Sequence, residues 1–116
     1  MLFIVGLAST FMVYAHPATE RYIPIGKSPG ISYKYSLMGT IENVDSKKKT
    51  ITMMNANSRY TVSISKKTKI WLDRNKAKLT NLKGTFSDLK AGYYVEVKFE
   101  NPEQKKVAAW VKIETK

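Results

Sequence analysis

The sequence predicts an all-β domain, a small five-stranded barrel with one short helical turn before its fourth strand. Three observations predict it. Beyond residue 32, apolar and polar residues alternate with period two over five runs. Clusters rich in Asp, Asn, Ser, Gly and Lys separate these runs. The helical-turn signal, Phe86 to Gly92, falls ahead of the fourth run.

The first strand runs from Ser32 through Tyr33, Tyr35, Leu37, Gly39 and Ile41 to Val44. Its spacing slips by one between Ile41 and Val44, which predicts a bulge near Glu42-Asn43. Gly39 in mid-strand predicts a sharp coil or a close approach of a second backbone. Asp45 to Lys49 supplies a turn, and the second strand, Thr50 to Asn55, carries Ile51 and Met53 on one face. After the turn at Asn55-Ala56-Asn57-Ser58, the third strand, Arg59 to Ser65, carries Tyr60, Val62 and Ile64 inward. In the short run Thr68 to Leu72, Ile70 and Leu72 face one way and Trp71 the other. Residues 73–85 are polar and basic without a clean period and predict a long loop of the kind that often carries function.

Ser87 can cap the helical turn, with Asp88 in its first turn and Gly92 at its end. The fourth strand, Tyr93 to Glu100, points Tyr93, Val95, Val97 and Phe99 inward and Tyr94, Glu96 and Lys98 to solvent. The fifth, Lys106 to Thr115, points Val107, Ala109, Val111 and Ile113 inward and Ala108, Trp110, Lys112 and Glu114 outward. On those outer faces Glu96 and Glu114 are expected to pair with Lys98 and Lys112. Barrel closure would remove the exposed edges, and the order of three strands, a connector and two strands is that of an OB-fold.

Ahead of the barrel, residues 1–15, MLFIVGLASTFMVYA, are apolar and uncharged. The run is shorter than the roughly 20 residues a membrane-spanning helix needs. Small residues at its last and third-last positions predict a signal peptide cut after Ala15. Export would place the mature chain in a periplasm-like compartment. Residues 16–31 contain three of the four prolines and predict an extended arm, with Tyr22, Ile23 and Ile25 as sticky surface. The expected organisation is thus a signal peptide at 1–15, an arm at 16–31 and a barrel at 32–116.

Twenty Lys and Arg stand against nine Asp and Glu, a formal net charge of +11. Such an excess calls for an acidic partner. Cysteine is absent from the sequence, which excludes disulfides and thiolate chemistry. No Gly-rich phosphate loop or nucleophile elbow occurs, and the carboxylates sit at turn or strand positions, so no catalytic residue is assigned.

Three segments carry a resemblance: Gly39-Thr40-Ile41-Glu42-Asn43-Val44-Asp45, Lys49-Thr50-Ile51-Thr52 and Asp88-Leu89-Lys90-Ala91-Gly92-Tyr93-Tyr94-Val95. Together they resemble small exported OB-like domains related to the periplasmic copper/silver carrier of tripartite efflux systems. The likeness spans about residues 37–115, and its motifs are turn and core positions, which bear on fold rather than function. The resemblance would imply a soft-metal site built from a histidine on the second strand, a Trp and two methionines one residue apart. Here the second strand has no histidine, and Met53 and Met54 are adjacent and so face opposite ways. No metal or other cofactor is assigned, with Met53 and Met54 left as the residual candidates.

The expected function is a non-catalytic exported module that docks on an acidic protein, as an accessory subunit or assembly factor of a larger exported complex such as a redox enzyme. The residues expected to carry docking are Tyr22, Ile23 and Ile25 of the arm, Lys47, Lys48 and Lys49, Arg74 and Lys76, and the outward aromatics Trp71, Tyr94 and Trp110, the alternative for Trp71 or Trp110 being packing beneath the 73–85 loop or the arm. The alternatives are a periplasmic soft-metal carrier, a binder of anionic membrane surfaces and, without export, a nucleic-acid-binding OB-fold. No small-molecule substrate is inferred.

Overall fold

The computed structural model describes residues 17–115. The expected signal peptide and His16 lie outside the described residues. Seven strands form one sheet: β1 Ser36–Asp45, β2 Thr50–Asn55, β3 Ser58–Ser63, β4 Lys69–Asp73, β5 Leu82–Lys83, β6 Tyr94–Phe99 and β7 Ala108–Glu114. Their order is β3-β2-β1-β6-β7-β4-β5. All neighbours are antiparallel except β4 and β7.

The all-β expectation holds. In place of the expected five strands, closed or nearly closed into a barrel, the sheet has seven strands and is not closed. The reason lies on the free edge of β7. Residues 110–114 are taken by β4 in parallel, so β3 reaches that edge only through one parallel bridge, Ser63 to Val107. The short run at 68–72 is thus a full sheet member. The expected loop 73–85 holds a 3-10 turn, Asn75–Ala77, and the short edge strand β5.

The core lies on one face of the sheet. Ile41, Ile51, Met53, Val62, Val95, Val97, Val111 and Ile113 are almost fully buried there, as period-two alternation requires. The expected bulge sits between Ile41 and Asn43, where the β1–β2 register shifts. A second shift, between Lys98 and Phe99, pairs Phe99 with Ala108. This slip brings Ala108, not Ala109, into the core. Residues 31–35 form turns rather than the start of β1, and Tyr33 has a φ of 71°. The expected cap at Ser87 moves to Thr85, whose N–H donates to the Asp88 carboxylate at 2.8 Å ahead of the 3-10 turn Phe86–Asp88.

Gly39 meets its expectation of close approach. A Cβ there would collide with the Met54 carbonyl and press on the Met53 methyl. Backbone on the paired strand cannot yield without breaking the β1–β2 ladder. Gly39→Ala is expected to destabilise the domain by about 1–3 kcal/mol or more, the usual cost of overpacking. Urea unfolding measures it, and a variant within about 0.5 kcal/mol of wild type, the range of neutral surface changes, would contradict the close approach.

Candidate functional site

The second face of β1, β6, β7 and β4 carries Met38, Glu96, Trp110, Lys112, Trp71 and Asp73. Cross-strand pairing sets Met38 opposite Glu96, Glu96 opposite Lys112, and Lys112 opposite Trp71. The alternation predicts a solvated face. All six are buried instead, with Glu96 and Lys112 at 0% exposure. The cover is the segment ahead of β1. Residues 17–35 are not extended. They form a 3-10 turn, Pro17–Tyr22, and a series of tight turns that lie across the sheet as a strap.

Polar contacts hold the strap. The Lys112 ammonium meets Glu20 Oε1 at 2.6 Å, the Ile23 carbonyl at 2.9 Å and Ser28 Oγ at 3.0 Å. Ser28 Oγ donates to the same Glu20 oxygen at 2.7 Å. Glu96 accepts the Gly26 N–H at 2.9 Å and the hydroxyls of Ser32 and Ser36 at 2.6 Å. Asp73 accepts the Ile25 N–H at 2.9 Å. From the far side, the buried Asn81 amide donates to the carbonyls of Glu20 and Ile23 at 2.8 and 2.9 Å. Cations stack on the aromatic floor, with Lys112 4.7 Å from the Trp110 ring centre and Arg21 5.9 Å from that of Trp71.

This arrangement corrects the expected pairing. Glu96 serves the strap rather than a lysine, Lys112 pairs with Glu20, and Glu114 pairs with Lys76 at 2.7 Å. It also places the expected docking residues. Trp71 and Trp110 are the floor beneath the strap, at 3% and 5% exposure, so neither is an outward aromatic. Ile23 and Ile25 are half-buried, while Tyr22 and Tyr94 are exposed. Lys47, Lys48, Lys49 and Lys76 are exposed, and Arg74 is half-buried with Nε donating to the Thr80 carbonyl. Met53 is in the core and Met54 half-buried. No three His, Cys, Asp or Glu side chains cluster at metal-binding range among the described residues.

Beside the middle of the strap, Pro24, Ile25, Asp73, Asn75, Lys76, Tyr94 and Glu114 line a cleft of about 380 Å³. It gathers three of the expected residues: Ile25, Lys76 and Tyr94. Burial pushes the Tyr94 phenol above its ordinary value, and the nearby Tyr33, Glu114 and Glu96 add to this. The charged groups here are engaged: Asp73 accepts from Ile25 and Asn75, and Lys76 binds Glu114. The cleft is thus a contact surface of mixed polarity. Sequence reasoning missed Glu20, Ser28, Asn81, Glu96 and Lys112 as members of one network. The available signal was the aromatic pair Trp71 and Trp110 on the same face as Glu96 and Lys112, a floor that calls for a cover.

No family model, curated protein or solved structure matches the chain.

The strap network predicts a specific mutational pattern. Lys112→Met leaves Glu20 buried without its cation and is expected to cost about 3–5 kcal/mol. Adding Glu20→Gln removes the orphaned charge and is expected to recover part of that loss. Urea unfolding followed by tryptophan fluorescence reads both, because both tryptophans lie beneath the strap. A Lys112→Met cost below about 1 kcal/mol, the range of exposed pairs, would contradict the role of the buried pair.

Proposed function

We propose that the chain is a non-catalytic exported binding module, an OB-like domain that docks on an acidic protein as an accessory subunit or assembly factor of a larger exported complex. The observation that carries the reading is where the carboxylates go. Glu20 of the strap and Glu96 and Asp73 beneath it are buried, accompanied by a single lysine. Glu42 and Glu114 are held by Arg59 and Lys76, and Asp45 and Asp88 bond backbone N–H groups of their own turns. The solvent-facing surface is therefore more basic than the formal +11. A field of that sign steers association with an acidic surface.

Strand pairing supports the OB-like part of the proposal. β1 pairs with both β2 and β6, β6 pairs with β7, and the Ser63–Val107 bridge brings β3 beside β7. This is the strand neighbourhood of a partly open Greek-key barrel. Export rests on residues 1–15.

Native size-exclusion of an exported-protein extract, with mass spectrometry of each fraction, tests the function. The chain is expected to elute with an acidic protein well above its own 13.2 kDa and to be released by salt. Elution alone near its own mass at low salt would overturn the accessory reading, and bound copper in those fractions would favour the carrier.

A further inference from the structure

Three lysine clusters far apart in sequence meet at one place in the fold. The Lys49 carbonyl, at the end of the β1–β2 turn, accepts the Ile64 N–H at 2.8 Å. The Lys106 carbonyl, on the β6–β7 connection, accepts the Ser63 N–H at 2.7 Å. Ser63 and Ile64 are adjacent, and one residue later the chain enters the turn Ser65–Thr68 with Lys66 and Lys67 at its tip. Thr68 Oγ1 ties this turn to the start of β7 through the Ala108 carbonyl at 2.6 Å. Lys47, Lys48, Lys49, Lys66, Lys67, Lys69, Lys105 and Lys106 thus surround the Ser63–Val107 bridge, and all eight are exposed.

One of the eight is further engaged: the Lys49 ammonium lies over the Phe86 ring, 4.6 Å from its centre.

We infer that this lysine pole is the docking surface, and that it takes a carboxylate-rich face of an acidic protein. The inference rests on the acidic-partner reading above and names the surface that serves it. The pole's composition selects the partner. It carries no arginine, the residue suited to bidentate phosphate contacts. The exposed tyrosines Tyr22, Tyr33, Tyr35 and Tyr94 belong to the strap and to β6 rather than to these turns, and the one ring against the pole, Phe86, is half-buried and already stacked by Lys49, a poor platform for successive bases. Glu100 and Glu103 are exposed on the β6–β7 connection among the lysines. A uniformly anionic membrane would repel them, whereas a protein face can match such a mosaic.

Poly-L-glutamate is the probe, with phosphatidylglycerol vesicles and oligo-dT as competing classes. Lys48→Glu/Lys67→Glu/Lys106→Glu reverses three of the pole's eight charges, one in each cluster. Lys78→Glu/Lys83→Glu/Lys90→Glu makes the same charge change at exposed sites outside it. The pole variant is expected to bind poly-L-glutamate at least about tenfold more weakly, and the control to lose less than about threefold. Equal losses in the two variants would overturn the pole while leaving the acidic-partner reading in place. Absence of poly-L-glutamate binding by the wild-type chain at low salt would overturn both. Tighter binding to the vesicles or to oligo-dT would overturn the carboxylate partner. Acetylation footprinting of the wild-type chain gives the answer without a variant: bound poly-L-glutamate is expected to protect the pole lysines more than Lys78, Lys83 and Lys90, and equal protection would overturn the pole.

Discussion

A lysine with no access to water governs this structure. The Lys112 ammonium stands on the middle of β7, on the face away from the main core, at 0% exposure. Burying an unpaired ammonium costs several kcal/mol, so the fold holds together only if something supplies a counter-charge and acceptors. The strap supplies both, through Glu20, Ser28 and the Ile23 carbonyl. Glu96 raises the same demand one strand away and is met by Gly26, Ser32 and Ser36. Such a network is intolerant of partial satisfaction, because each group left over would carry its full desolvation cost. That intolerance fixes where the strap lies. A slip of one residue would orphan Lys112, Glu96 and Asp73 together.

Much of the sheet was legible because its core strands obey simple alternation. Thr50 to Asn55 is a strand with the expected bounds, the bulge near Glu42-Asn43 is present, and Gly39 stands where a backbone crosses closely. The strap was not legible, for a physical reason. Polar residues facing solvent and polar residues facing a polar cover give the same period-two pattern, so Glu96 and Lys112 read as a wet face. Local rules also say nothing of partners 70 residues away, the separation of Gly26 from Glu96, or farther still, as Lys112 is from Glu20. Ala108 was misassigned because the β6–β7 bulge shifts the alternation without any glycine to mark it. The convergence of the lysine clusters was hidden likewise, since it depends on β3 meeting β7.

The strap changes what the charge total means. A count of +11 treats every carboxylate as surface. Here three of the nine acidic residues are used to build the interior, and four more are bound locally. Glu100 and Glu103 remain beside the lysine pole. The contacts that draw Glu20, Glu96 and Asp73 inward therefore leave fewer carboxylates among the lysines at the surface. Fold stability and surface electrostatics are coupled through one set of side chains.

That coupling bears on how docking can proceed. A strap that opened to clamp a partner would expose Trp71 and Trp110 and strip Lys112, Glu96 and Asp73 of their hydrogen bonds at once. The partner would have to replace each of them before any new contact contributed. A lysine pole at the turn tips makes no such demand. Its ammonium groups are already hydrated, and its turns are held by backbone hydrogen bonds to Ser63 and Ile64. Association there costs rigid-body freedom, side-chain ordering and part of the ammonium hydration, but breaks no buried hydrogen bond. If the proposed docking holds, the economical division of labour leaves the strap to complete the fold and the pole to meet the partner, with Tyr22 and the cleft at Tyr94 as the strap's exposed margin.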